Sequence, residues 1–222
     1  MALASRISTL SAPPPADDRL LDDDRFRALL SDDDWGRLPL AIWRRFSTRF
    51  ADGKTVVYVG EVDQVEFSRI GWWLAQLARL IGGPLPISED TRLPAIVSVT
   101  EDAGSGGQVW TRIYARRNRF PQVIHSAKRF CGPTGLEEYV GFGVAMALRV
   151  SVEGQVLHFT SAGYFLQIGP IRFALPAWLT PGELTVSHAD LGGGAFRFTL
   201  DVIHPRHGRL VRQSAVFKEA AP

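Results

Sequence analysis

The sequence predicts an α+β, mainly β protein, in which N-terminal helices cover a strongly curved antiparallel sheet or partly closed β-barrel of about nine strands. Three observations carry this expectation. Apolar and β-branched residues recur in long runs from Leu93 to Lys218. Hairpin-type punctuation separates the runs at Gly104–Gly107, Gly132-Pro133, Glu153-Gly154, Gly192–Gly194 and His207-Gly208. Strands joined so closely run antiparallel, because parallel neighbours need a long crossover.

Residues 1–17, with Pro13, Pro14 and Pro15, read as a flexible arm, and residues 18–222 as a single domain. Helices are expected over 18–52. Across Asp18–Leu30, Leu20, Leu21, Phe26, Leu29 and Leu30 recur near helical spacing, and the leading acids suit a helix N-terminus. Pro39 suits a first helical position, Ile42, Trp43, Phe46 and Phe50 form an apolar stripe, and Gly53 offers a stop. Thr55–Phe67 alternates as a first strand of a sheet that spans 55–219. A short helix over 70–82 carries Ile70, Trp73, Leu74, Leu77 and Ile81 and ends at Gly82-Gly83-Pro84.

Further strands are expected at 93–101, 107–117, 121–131, 135–150, 154–168, 183–190, 194–204 and 209–219. Pro170, Pro176 and Pro181 interrupt the longest connection, which is expected to cross one end of the sheet. Strand 194–204 is half-buried, with Phe196, Phe198, Leu200 and Val202 on one face. In strand 135–150, Leu136, Val140, Phe142, Val144, Met146 and Leu148 line one side. Gly141, Gly143, Ala145 and Ala147 line the other and leave room for a packed helix or a ligand.

Composition bounds the function. With 222 residues, 45% of them hydrophobic, the chain can bury a substantial core. A formal charge of +2 gives no case for nucleic acid. The basic cluster Arg112, Arg116, Arg117, Arg119 and Arg129 reads as a solvated hairpin tip ahead of a phosphate-binding patch. One cysteine, Cys131, forms no intrachain disulfide, and the amino-terminal residues lack the apolar run of a signal peptide. The 70–82 helix is shorter than the roughly 20 residues that cross a bilayer. A soluble cytoplasmic protein without stable membrane insertion is the expectation.

Several marks recur in a fixed order: Phe26-Arg27 with Leu29-Leu30, Trp35 with Leu38-Pro39, Arg45-Phe46, Pro84-Leu85-Pro86, Trp110-Thr111-Arg112, Gly135-Leu136-Glu137-Glu138, Leu179-Thr180-Pro181, and His204-Pro205 followed by Gly208–Val211. In these the chain resembles the bacterial domain-of-unknown-function 4166 family, over nearly its whole length after the arm. Members occur alone or attached to saccharopine-reductase-like nucleotide-binding domains and to small membrane proteins. The resemblance implies neither an established reaction nor catalytic residues. The arginine-rich Ala115–Arg119 segment replaces the shorter turn expected there.

The strongest candidate site is the row Trp110, Arg112, Tyr114, which share one side of a strand. There the guanidinium lies between two aromatic faces. If that side is interior, Arg112 needs an acid, with Glu138 the best placed and Glu137 the alternative if a bulge reverses the face. Such a pair is either a structural ion pair at the rim or an anchor for a ligand carboxylate or phosphate. His158, placed with Val156, Tyr164 and Leu166, reads as a hydrogen-bonded core histidine or a general base. Trp72 and Trp73 read as core packing, or as a lid or shallow membrane contact. The histidines lack zinc-type spacing, so no metal and no cofactor are expected.

Three functions compete. One is a pocket for an apolar or amphipathic small molecule, with Trp110, Arg112, Tyr114, Glu137, Tyr164 and Trp73 contacting ligand. Another is an acid–base isomerase or hydrolase using Glu138 or His158. The last is an accessory domain that docks a reductase or membrane partner.

Overall fold

In the computed structural model, residues 21–49 and 54–220 are described. The expected arm (1–17), the opening of the first expected helix, Phe50 and Gly53 lie outside them. From Leu21 onward that helix does not form. A two-residue strand, β1 (Leu21–Asp22), pairs with β2 (Thr48–Arg49), and Arg27–Leu29 make a single 3-10 turn. Asp23 diverts the chain. Its buried carboxylate accepts the Arg25 backbone N–H at 3.1 Å and the Arg25 guanidinium at 2.7 Å, a local bond that competes with helix. Phe26 is thereby driven into an aromatic cluster with Phe46, Phe130 and Phe159.

Between the two short strands lie α1 (Asp32–Arg37) and α2 (Leu40–Phe46). Ser31 caps α1 by accepting the Asp34 N–H at 3.1 Å, and three aspartates occupy its first turn. Ile42 and Phe46 carry the buried face of α2.

The remaining chain is mostly sheet. In order come β3 (Thr55–Phe67), α3 (Arg69–Ala78) with a 3-10 extension to Ile81, β4 (Pro94–Asp102), β5 (Gly107–Arg116), β6 (Arg119–Arg129) and β7 (Glu137–Gly141). Then follow β8 (Val144–Glu153), β9 (Val156–Ile168), β10 (Ile171–Ala174), β11 (Glu183–Gly192), β12 (Ala195–His204) and β13 (Gly208–Glu219). The order β9-β11-β12-β13-β3-β4-β5-β6-β7-β8, with β8 also paired to β9, closes a ten-strand antiparallel barrel among the described residues. β9 pairs with β11 through Leu157–Thr160 and with β10 through Phe165–Ile168, so the wall forks there.

The expected strand over 135–150 is corrected to a hairpin, β7 and β8. Gly141 pairs with Val144, leaving Phe142 and Gly143 as a two-residue loop with φ of 49° and 80°. Positive φ at both positions is what a type I′ turn requires. Phe142, expected on the same face as Val140, is instead 79% exposed at the tip. Of the small residues expected to leave room for a packed helix or a ligand, Gly141 does admit the 3-10 extension of α3, since a side chain there would strike the Ile81 carbonyl oxygen. Ala145 lies in register between Tyr139 and Phe165, whose rings meet edge-on at 5.9 Å.

The two ends of the barrel differ. At one end α2 and Phe26 plug the interior against Phe159, Leu157 and Val152. There Arg45 donates to His188 Nε2 at 2.7 Å and lies over the Phe196 ring at 4.0 Å, while His188 is wholly buried. At the other end α3 crosses the opening. Ser68 caps it, and a side chain on Gly71 would strike the Leu210 carbonyl oxygen, so glycine sets how closely helix and β13 approach.

Burial, and then the neighbouring Arg45 charge, hold the His188 imidazole well below its ordinary value, so it is neutral in the fold. Its stability contribution is full above the unfolded value near 6.5 and is lost as pH falls below that. Unfolding free energies from urea titrations between pH 7 and pH 5 should fall by at most about 1.4 kcal/mol per pH unit from this group, and His188→Gln should flatten that slope.

Candidate functional site

Alternation along each strand decides which side chains enter the barrel. On β5, Trp110, Arg112 and Tyr114 point inward and line a small internal space of about 50 Å³ with Lys128, Glu138, Gln213 and Phe217. A larger cavity of about 560 Å³ opens above it at the α3 end. Leu74, Leu77 and Ile81 of α3 form one side, Val140, Phe142 and Val144 of the β7–β8 hairpin another, and Leu175, Leu179 and Pro181 a third. Met146, Tyr164, Leu184, Val186 and Leu200 continue the apolar wall downward. Arg112 and Glu138 line both spaces, so they form the floor of the upper cavity and the roof of the lower one.

The polar floor is a trio. Arg112 Nη2 donates to Ser126 Oγ at 2.7 Å and lies 3.7 Å from Glu138 Oε1, while Lys128 Nζ lies 3.2 Å from Glu138 Oε2. Glu138 therefore pairs with Arg112 as the alternation on β7 predicts. The cation–π row needs correcting. Lys128, not Arg112, faces the Trp110 ring, at 4.7 Å. The shorter ammonium reaches the ring from β6, whereas the guanidinium is drawn to Ser126 and Glu138 across β6 and β7.

Two cations thus meet one carboxylate in a largely apolar enclosure. Burial alone would raise the Glu138 carboxyl, but Lys128 and Arg112 outweigh it and hold the group below the usual carboxylate range. Burial pushes the Lys128 ammonium down, partly offset by Glu138 and reinforced by Arg112. Burial raises the Tyr114 phenol, with Arg112 opposing it. Arg112 Nε is buried without a hydrogen-bond partner. An unpaired buried donor beside excess positive charge is costly unless something negative meets it.

Tyr164 also lines the cavity, but its hydroxyl is engaged. It donates to the Gly182 carbonyl at 3.0 Å, and burial pushes the phenol up to about 12. That bond ties β9 to the segment entering β11, just where the wall forks.

Three of the expected site residues lie elsewhere. Glu137 is on the outer face, fully buried, and takes both Arg172 nitrogens at 2.6 and 2.9 Å. Cys131 Sγ donates to the same carboxylate at 3.3 Å, and burial followed by Glu137 raises the thiol, which disfavours a thiolate nucleophile. His158 is outside the barrel, bonded to Ser187 Oγ at 3.0 Å. Its expected shared face with Tyr164 and Leu166 fails because Ala147 pairs with Gly163 while Leu148 pairs with Ser161. The extra residue, Ala162, is a bulge that reverses parity between His158 and Tyr164. Trp73 is 63% exposed on the outer side of α3, away from the cavity.

Lys128 was missed by sequence reading. The signal was present: a hairpin centred on Pro133 pairs 128 with 138, and Lys128 stands directly opposite Glu138. Among the described residues, no group of three His, Cys, Asp or Glu side chains is placed to hold a metal ion.

Comparison with known families gives one finding. A model whose description is Domain of unknown function (DUF4166) matches residues 38–217, and the chain belongs to that family. Neither curated proteins nor solved structures gave a match.

Glu138→Gln should destabilise the fold by about 3 kcal/mol, because it leaves two buried cations facing each other. Adding Lys128→Met should restore more than half of that loss in chemical denaturation. Additive losses in the double variant would show that the three groups are not coupled.

Proposed function

We propose that this chain is a binding barrel for an amphipathic small molecule whose apolar body fills the upper cavity and whose anionic head meets Arg112. One observation carries the reading: a mostly apolar cavity of about 560 Å³ ends on a trio with one more cation than carboxylate. Its volume is within the range of roughly 300–1,000 Å³ common for small-molecule sites, and such sites combine apolar walls with a few polar groups that set orientation. The unpartnered Arg112 Nε supplies a donor for a carboxylate or phosphate oxygen, and the guanidinium fork favours two-point contact.

Binding is better supported than acid–base catalysis. A general base works best with its pKa near the operating pH, whereas Lys128 and Arg112 overcome the effect of burial and hold Glu138 low. His158 is on the other side of the wall, bonded to Ser187.

Displacement of a fluorescent fatty-acid analogue tests the reading. Long-chain carboxylates should displace it, and Arg112→Gln should weaken carboxylate binding at least about tenfold while leaving the matching alcohol within about twofold, a difference near 1.4 kcal/mol. Native mass spectrometry of protein from its own host should detect a retained acidic amphiphile. Equal loss for acid and alcohol, or no displacement by either, would overturn the anchor.

A further inference from the structure

The open end of the barrel is apolar on its outside as well as within. On α3 and its extension, Trp72, Trp73, Leu77 and Leu80 are exposed, and across the cavity mouth Phe142 and Trp178 are 79% and 81% exposed. These residues come from three separate elements: α3, the β7–β8 turn, and the 3-10 turn Ala177–Leu179 after β10. Two of them, Leu77 and Phe142, line the cavity itself together with Leu179 beside Trp178, so the exposed apolar rim is continuous with the cavity wall. A water-facing rim of this kind is unfavourable unless something covers it.

Charge indicates what covers it. Beside α3, Trp72 and Arg79 share a cleft of about 430 Å³ with Arg116, Arg117 and Arg119 from the β5–β6 turn. Asp90 lies 3.9 Å from Arg117, whereas Arg79, Arg116 and Arg119 have no ion pair among the described residues. Arg116 Nε is buried without a hydrogen-bond partner. Indole rings and leucines flanked by surplus arginines match the layering of a bilayer surface, where aromatic rings lie at headgroup depth and cations meet anionic lipid.

We infer that the mouth of the barrel docks on a membrane surface carrying anionic phospholipid. Trp73, Leu77, Leu80, Phe142 and Trp178 enter the interface while Arg79, Arg116 and Arg119 face headgroup phosphates. The contact is peripheral: among the described residues, no helix is long and apolar enough to cross a membrane. This inference stands apart from the cavity reading, since it rests on the outer rim and holds whether or not the interior takes up a ligand.

Sedimentation with large unilamellar vesicles tests it. Binding to phosphatidylcholine containing about one-third phosphatidylglycerol should exceed binding to phosphatidylcholine alone by at least about tenfold and should weaken with salt. Trp73→Glu with Trp178→Glu should abolish binding to both vesicle types. Arg79→Glu with Arg119→Glu should remove the preference for the anionic lipid. All four positions are exposed, and circular dichroism melts confirm that the variants fold. Absence of binding, or binding that both double variants retain, overturns the inference. So does a stable dimer in native mass spectrometry that Trp73→Glu with Trp178→Glu disperses, since a second copy would then cover the rim.

Discussion

Pairing of β3 with β13 closes the ring, and the interior exists because of it. Most other neighbours in the barrel follow one another along the chain, but these two strands are separated by nearly the whole domain and still pair from Tyr58 with Glu219 to Phe67 with Val211. A ten-strand circumference encloses more space than its own inward side chains fill. The chain fills the surplus unequally. α2 and Phe26 occupy one end with tightly packed rings, whereas α3 roofs the other and leaves a cavity beneath it. Gly71 keeps that roof close to β13 without sealing the mouth.

Buried charge follows from this arrangement. Lys128 and Glu138 face each other because the β6–β7 hairpin turns at Gly132–Thr134, and Arg112 joins them across Ser126 from the next strand. Lys128 and Glu138 are buried and Arg112 is only partly exposed. For Lys128 and Glu138, ionisation is therefore set mainly by burial and by their charged neighbours. At the plugged end the balance differs, because Arg45 has a neutral imidazole and aromatic faces as partners.

Much of the fold was legible because its signals are local. Alternation and turn residues located β3, β12 and β13 almost to the residue, and Gly82 ended the α3 region as expected with φ of 105°. Reading failed where one residue changes the rule for its neighbours. Gly141 and Gly143 read as a small-residue face, which Gly141 is toward Ile81, but together they also permit a turn, and the Ala162 bulge puts His158 and Tyr164 on opposite faces. Asp23 overrode a helical pattern through a single carboxylate. The inward row of Arg112 was readable from alternation alone, as was its acid at Glu138. Lys128 required the register of a hairpin as well. The cavity itself was not readable, since its volume depends on how far α3 stands from the floor.

A barrel whose floor holds two cations around one carboxylate, among aromatic and aliphatic walls, carries built-in frustration. Two like charges held this close in an apolar setting oppose the packing that surrounds them. Natural selection for bare robustness would replace Lys128 with something greasy and neutral.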